Sequence, residues 1–169
     1  MIITTERLEI RRFEPSDAED LHEILGDAET MKFLEPPFSK EQTVEFLRDF
    51  CIKKQGALAA KLKGGKVIGY ILFNPTSPGT YELGWVFNRA FWRKGYAFEA
   101  LSAIIDYGFR ELSVKKFIAE TTDPIRSVGL MKKLGMRREG SMMTADSYGD
   151  KAEMLLYGLT DRELRCDNV

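Results

Sequence analysis

Along the chain the spacing of apolar residues changes period several times, and each change marks an element. From Arg7 to Phe13, Leu8 and Ile10 alternate with Glu9 and an outward-directed Arg11, the pattern of a half-buried strand. Pro15-Ser16-Asp17 then opens a helix running to about Leu25. Pro36-Pro37 breaks the chain before Ser39, which with Gln42 forms a capping box for a helix reaching about Lys54. The runs Gly56 to Leu62 and Lys66 to Phe73 flank Lys63-Gly64-Gly65, a hairpin signal, and Pro75 to Gly79 turns the chain into the next strand at Tyr81. From Gly95 onward, Ala97, Leu101, Ile104, Ile105, Gly108 and Leu112 recur at helical spacing, and Lys116 to Glu120 returns as a strand. That strand, helix and strand predict a parallel pair. A helix near Arg126 to Leu134 and strands from Arg138 to about Met143 and from Lys151 to Leu159 complete a mixed fold, without repeats, low-complexity tracts or linkers.

Composition narrows the class. The 169 residues fit one domain spanning 1–169, long enough to bury about two-thirds of its unfolded surface. With 25 lysines and arginines against 26 aspartates and glutamates the net charge is −1, so no basic field points to nucleic acid and no acidic tail to a solvating arm. Glu6 and Arg7 interrupt the start before a leader's apolar core can form, and no apolar run approaches the ~18 residues of a membrane span. A soluble, cytoplasmic protein with no membrane partner is expected. Cys51 and Cys166 lack CxxC spacing and His22 is the only histidine, so neither a metal site nor a cysteine–histidine pair has its parts.

The richest segment is YELGWVFNRAFWRKGYAFEA, Tyr81 to Ala100. An apolar strand carrying Glu82 leads through Arg93, Lys94 and Gly95 into an amphipathic helix. A helix N-terminus offers free N–H groups and the positive end of the helix dipole, and glycine admits a phosphate close to the main chain. The single glycine matches neither GxxxxGK[ST] nor GxGxxG, which disfavours nucleoside triphosphates and NAD.

This segment resembles motif A of the GNAT acyl-CoA N-acyltransferases, where a strand lies along the pantetheine and the following turn holds the CoA pyrophosphate. ELGWVF followed by WRKGYAFEA is most similar to the branch containing the RimJ/RimL ribosomal-protein N-acetyltransferases. SVGLMKKLGMRREG, Ser127 to Gly140, resembles motif B, and the opening ITTERLEIRRFEPSDAEDL resembles the family's first strand and helix. The resemblance implies the GNAT fold of the α/β (α+β) class. That fold has a central mixed, mostly antiparallel twisted sheet of six to seven strands, flanked by about four helices, with parallel strands 4 and 5 splayed. It also implies acetyl-CoA as cosubstrate, no metal, and an amine acceptor, either a peptide N-terminus such as a ribosomal protein's or a small molecule. A homodimer through an exposed strand edge near the C-terminus is a further expectation, since related enzymes often dimerise.

Acetyl transfer to an amine needs a base, donors for the thioester oxygen, and a proton for the departing thiolate. Glu82 matches the family's strand glutamate and is the leading base, the alternative being a solvated or ion-paired glutamate; partial burial would raise its pKa. Asp146 in TADSYGD is a second carboxylate, or a turn former before Ser147 and Gly149. Backbone N–H groups near Trp85 and Val86 are the candidate oxyanion donors. The motif B tyrosine position holds Met131; the resemblance to the RimJ/RimL branch, with its serine at the start of the same helix, implies Ser127 as the candidate for meeting the CoA sulfur, the alternative being a plain N-cap. Tyr157 is the fallback donor, or a core residue.

Cofactor contacts are expected from Trp85, Val86 and Phe87 on the strand, from Trp92, Arg93, Lys94, Gly95, Tyr96, Ala97 and Phe98 around the turn, and from Arg126, with Arg89 in reach of the phosphates. Met31, Phe33 and Phe38 are the candidate acceptor-pocket residues, the alternative being core, and Asp27, Glu29 and Glu35 are either there to attract a cationic amine or ordinary surface. The chain departs from the family pattern at Trp92, at Phe98 where threonine is common, and at Pro124 where motif B has asparagine. Those departures leave a second reading, a GNAT-fold module that holds CoA without turnover.

Overall fold

The computed structural model describes residues 1–146 and 148–161. The alternating segments form eight strands: β1 (Ile2–Thr4), β2 (Leu8–Arg12), β3 (Ala57–Leu62), β4 (Val67–Ser77), β5 (Thr80–Phe87), β6 (Lys116–Thr121), β7 (Arg137–Ala145) and β8 (Lys151–Thr160). They pair in one sheet in the order β1-β2-β3-β4-β5-β6-β8-β7. Only β5 and β6 run parallel; every other neighbouring pair is antiparallel. The helices are α1 (Ala18–Leu25), α2 (Ala28–Met31), α3 (Lys40–Phe46), α4 (Tyr96–Glu111) and α5 (Arg126–Lys133). The Ser39 capping box forms as expected: Gln42 N–H donates to Ser39 Oγ at 3.1 Å and Ser39 N–H to Gln42 Oε1 at 2.8 Å. Beyond Phe46 the helix widens into π turns over Leu47–Lys53, a rare geometry often found near functional sites.

Side-chain alternation along the strands divides the core between two faces. On one face Leu8, Ile10, Leu58, Ile71, Leu83 and Phe117 meet Leu101 and Ile104 of α4 and Met131 of α5. On the other, Leu21 and Ile24 of α1 join Leu47, Cys51, Tyr70 and Val86. Burying one such side chain contributes about 1.5–3 kcal/mol, so packing on the sheet fixes where α4 begins. At Gly108 a Cβ would lie 2.4 Å from Phe117 Cζ, so the helix can approach the sheet closely only with glycine there.

Four expectations need correction. The sheet has eight strands because Ile2–Thr4 pairs with β2, a strand too short for a periodicity signal. Among the described residues the α-helices number five, because Asp27 caps a four-residue turn, accepting from Thr30 N–H at 2.9 Å. Arg11 is not outward but 8% exposed: both faces of the sheet are covered, and its guanidinium binds Asp17 through two hydrogen bonds of 2.8 and 2.9 Å. The strand at Lys66 runs on through Pro75 to Ser77. The last β3–β4 pair is Ala57 with Leu72, so the proline's missing N–H falls on an open edge where no ladder bond is lost.

Candidate active site

β5 and β6 pair at only three positions, Thr80 with Lys116, Tyr81 with Phe117 and Glu82 with Ile118, and then diverge. β5 stays paired to β4 as far as Phe87, while β6 stays paired to β8 as far as Thr121. A gap therefore opens inside the sheet, with Glu82 at its apex. Asn88 N–H donates to Ile68 O on β4 at 2.8 Å, and Phe87 O accepts from Trp92 Nε1 at 2.7 Å. By the alternation of the antiparallel ladder, the backbone groups of Leu83, Trp85 and Phe87 turn to the gap, and those of Gly84 and Val86 to β4. Trp92 closes the far end, and the Trp85 amide between is open to a ligand's carbonyl.

The candidate anion cradle lies on the same face as α4. Arg93 (φ 59) and Gly95 (φ 82) both sit in the left-handed region and swing the chain into α4. Gly95 is the N-cap and offers no side-chain acceptor to the first-turn amides, which suits an external anion such as a phosphate. Arg93 is exposed and makes no hydrogen bond or ion pair with a described residue. Lys94 folds back, its Nζ donating to Ala90 O at 3.0 Å. Arg89 pairs with Asp27 at 3.3 Å. Tyr96 and Ala97 are half-buried in the first turn, and Phe98 is 37% exposed beside the Lys133 ammonium, 5.5 Å from its ring centroid.

Glu82 projects from the opposite face, that of Val86 and the α1 and α3 helices. It is half-buried, and its carboxylate makes no hydrogen bond or ion pair with a described residue. Burial first, then the neighbouring Glu120 carboxylate, holds its pKa above the ordinary value. Tyr70 shares that face, 9% exposed, with its ring 5.7 Å from Phe46. Burial, then Cys51, Glu35 and Glu82, pushes its phenol up. Beside α3 lies a cleft of about 390 Å³ whose lining includes Glu35, Phe38, Glu45, Phe46 and Phe50. The α1–α3 face of the sheet thus carries both Glu82 and an acidic, aromatic cleft whose own lining does not include Glu82.

The remaining sequence candidates divide. Ser127 lies half-buried in the first turn of α5, and it is not the cap. Ile125 stands at the N-cap position, and Asp123 Oδ1 accepts from Ile125 and Arg126 N–H, each at 3.0 Å; no described residue bonds the Ser127 hydroxyl. Asp146 closes the β7–β8 turn, its Oδ1 accepting from Tyr148 and Asp150 N–H, each at 2.9 Å; Ser147 lies outside the described residues. Tyr157 is 4% exposed in the core on β8. Met31 departs from expectation: it is 3% exposed, because α2 turns it into the core, so it lines no open pocket. Phe38 does line the cleft, and Phe33 is 39% exposed. Arg126 bridges the two faces, its guanidinium 5.5 Å from the Phe33 ring centroid and 4.7 Å from that of Trp92. The Cys51 thiol is buried and pushed up to about 12, which makes it inert as a nucleophile; Cys166 lies outside the described residues. Sequence reasoning missed Tyr70, Asp123 and Arg7, whose contacts cross the fold or depend on side-chain direction. A signal for Asp123 was present in Asp-Pro ahead of a helix.

A divergent parallel pair beside a helix with an open N-terminus defines an α+β fold with a cleft through its sheet. The family model of the GNAT acetyltransferase domain matches residues 7–137, and the chain belongs to that family of acetyltransferases, which use acetyl-CoA. The uncharacterized N-acetyltransferase YnaD of Bacillus subtilis (strain 168) is 42% identical over 149 residues, covering 83% of this chain and 85% of that protein. A GNAT-family acetyltransferase structure from Bacillus anthracis matches with TM-score 0.88 and 34% identity, over 96% of this chain and 99% of that one. RimL, a ribosomal L7/L12 alpha-N-protein acetyltransferase solved in complex with coenzyme A, matches with TM-score 0.83 over 95% of this chain and 98% of that one; at 19% identity the likeness is one of fold.

Proposed function

We propose that the protein transfers the acetyl group of acetyl-CoA to a primary amine by direct attack in a ternary complex. The observation that carries this reading is the gap that opens between β5 and β6 at Glu82, with an uncapped helix N-terminus on one face and an unpaired carboxylate on the other. Bound acetyl-CoA supplies an activated thioester carbonyl and a thiol leaving group. The first-turn amides of α4 at Tyr96, Ala97 and Phe98, with Arg93, would hold its phosphates, and the open β5 edge its pantetheine. Trp85 N–H is placed to donate to a carbonyl oxygen, an effect worth about 3 kcal/mol per preorganised donor. Glu82, with its raised pKa, takes the acceptor's proton directly or through a water. Ser127 is the first candidate to protonate the sulfur and Tyr157 the second, though a thiol pKa near 8.5 makes help dispensable.

The acceptor reaches Glu82 from the side of Phe33, Phe38 and Glu35, where acidic and aromatic groups favour a cation. The likeness in fold to RimL, a ribosomal L7/L12 alpha-N-protein acetyltransferase, favours a peptide N-terminus, and the acidic cleft serves a small-molecule amine equally well. The test is calorimetric titration with acetyl-CoA and CoA, against ATP and NAD, followed by an amine screen for thiol release. Micromolar binding of acetyl-CoA and CoA alone, with release on adding an amine, is expected; no binding overturns the reading.

A further inference from the structure

The turn between β1 and β2 reaches the start of α4 through Arg7, with Thr5 beside it. Arg7 Nε donates to Glu99 Oε2 at 2.6 Å, Arg7 N–H to Glu99 Oε1 at 2.8 Å, and Nη1 to the Lys94 carbonyl at 2.9 Å. The guanidinium lies 4.1 Å from the centroid of the Tyr96 ring, and Nη2 is 3.3 Å from where a Cβ on Gly95 would stand. Thr5 Oγ1 adds a 2.6 Å hydrogen bond to Glu99 Oε1. One arginine thus touches Lys94, Tyr96 and Glu99 and abuts Gly95, all on the turn that opens α4.

Two electrostatic problems of an anion site are resolved by this arrangement. Glu99 stands in the first turn of α4, where a carboxylate suits the helix dipole but competes with any second anion at the same end. Although burial alone would raise the Glu99 pKa, bonds from Thr5 and from the Arg7 backbone and side chain lower it, so the charge is present at neutral pH and must be offset. The Lys94 carbonyl precedes Gly95, and turned toward the helix mouth it would present lone pairs to a phosphate. We propose, resting on the acetyl-CoA reading above, that Arg7 is a positioning residue of the CoA site. It cancels the Glu99 charge and holds the Lys94–Gly95 peptide so that the α4 amides stay open to the pyrophosphate.

The test compares acetyl-CoA with S-acetylpantetheine, the same thioester without the nucleotide phosphates. In Arg7→Ala, acetyl-CoA affinity is expected to fall roughly 30-fold, as on losing a charge-assisted bond, with kcat/KM for S-acetylpantetheine retained. Adding Glu99→Gln to Arg7→Ala should recover part of the affinity, because the exposed carboxylate is then gone. Arg7→Lys keeps the charge but not the fork, so it should show a smaller loss with the same selectivity for the phosphorylated cosubstrate, and it serves if Arg7→Ala does not fold. Unchanged acetyl-CoA affinity, or equal losses with both thioesters, overturns the proposal. Failure of the wild type to bind acetyl-CoA would instead sink the functional reading itself.

Discussion

Replacing Glu82 by glutamine keeps the side chain's size and removes its basicity. The carboxylate is half-buried and bonded to no described residue, so its loss leaves no orphaned partner. Burial and Glu120 raise its folded-state pKa, so the folded state holds the proton more tightly than the unfolded chain. The fold is therefore penalised as pH climbs from the ordinary carboxylate range through the raised value, and the penalty persists at neutral pH. Glu82→Gln should match or exceed the wild-type Tm at neutral pH, and that advantage should vanish in acid. A general base contributes ~10²–10⁴-fold, or about 3–5 kcal/mol of barrier, and kcat/KM for the amine should fall by that much. The acid limb of the pH–rate profile that follows Glu82 should disappear. Acetyl-CoA affinity should hold, because the α4 cradle lies on the other face of the sheet. Thiol release across the pH range, with calorimetry of both proteins, is the assay. Activity within about threefold of wild type, or parallel loss of affinity and turnover, would refute the assignment of Glu82 as base.

Gly95→Ala forces a side chain into φ 82 and within 3.3 Å of Arg7 Nη2. Acetyl-CoA affinity should drop about tenfold, with about 1–2 kcal/mol of stability lost to the left-handed backbone; wild-type affinity would rule the cradle out. Asp17→Ala removes the partner of a buried guanidinium, with side chains 6% and 10% exposed, and should cost about 3–5 kcal/mol in urea unfolding. A loss below 1 kcal/mol would mean that water reaches Arg11. Gly108→Ala drives a Cβ to 2.4 Å from Phe117 Cζ and should destabilise by about 1–3 kcal/mol, while acetyl-CoA affinity at low temperature is kept; an unchanged Tm would show that α4 shifts freely.

The sequence by itself determined what is local. Period-two and helical spacings placed most strands and helices within a few residues, Ser39 and Gln42 named their own cap, and Gly95 before an amphipathic helix marked the cradle, because each signal lies within one turn or hairpin. Tertiary structure alone decided the rest. That β5 leaves β6 at Glu82 is a matter of register between segments joined by a helix. Arg11 turned inward because helices cover a face that strand alternation alone leaves open to solvent, and Met31 because the short α2 helix packs it into the core on that face. Ser127 falls inside the first turn of α5, because the helix starts at Arg126 with Asp123 accepting from the Ile125 and Arg126 amides. Arg7 meets Glu99 across 92 residues of sequence, and no local pattern records which of 25 basic side chains will close such a loop, since the choice is made by the packing of the whole sheet against α4.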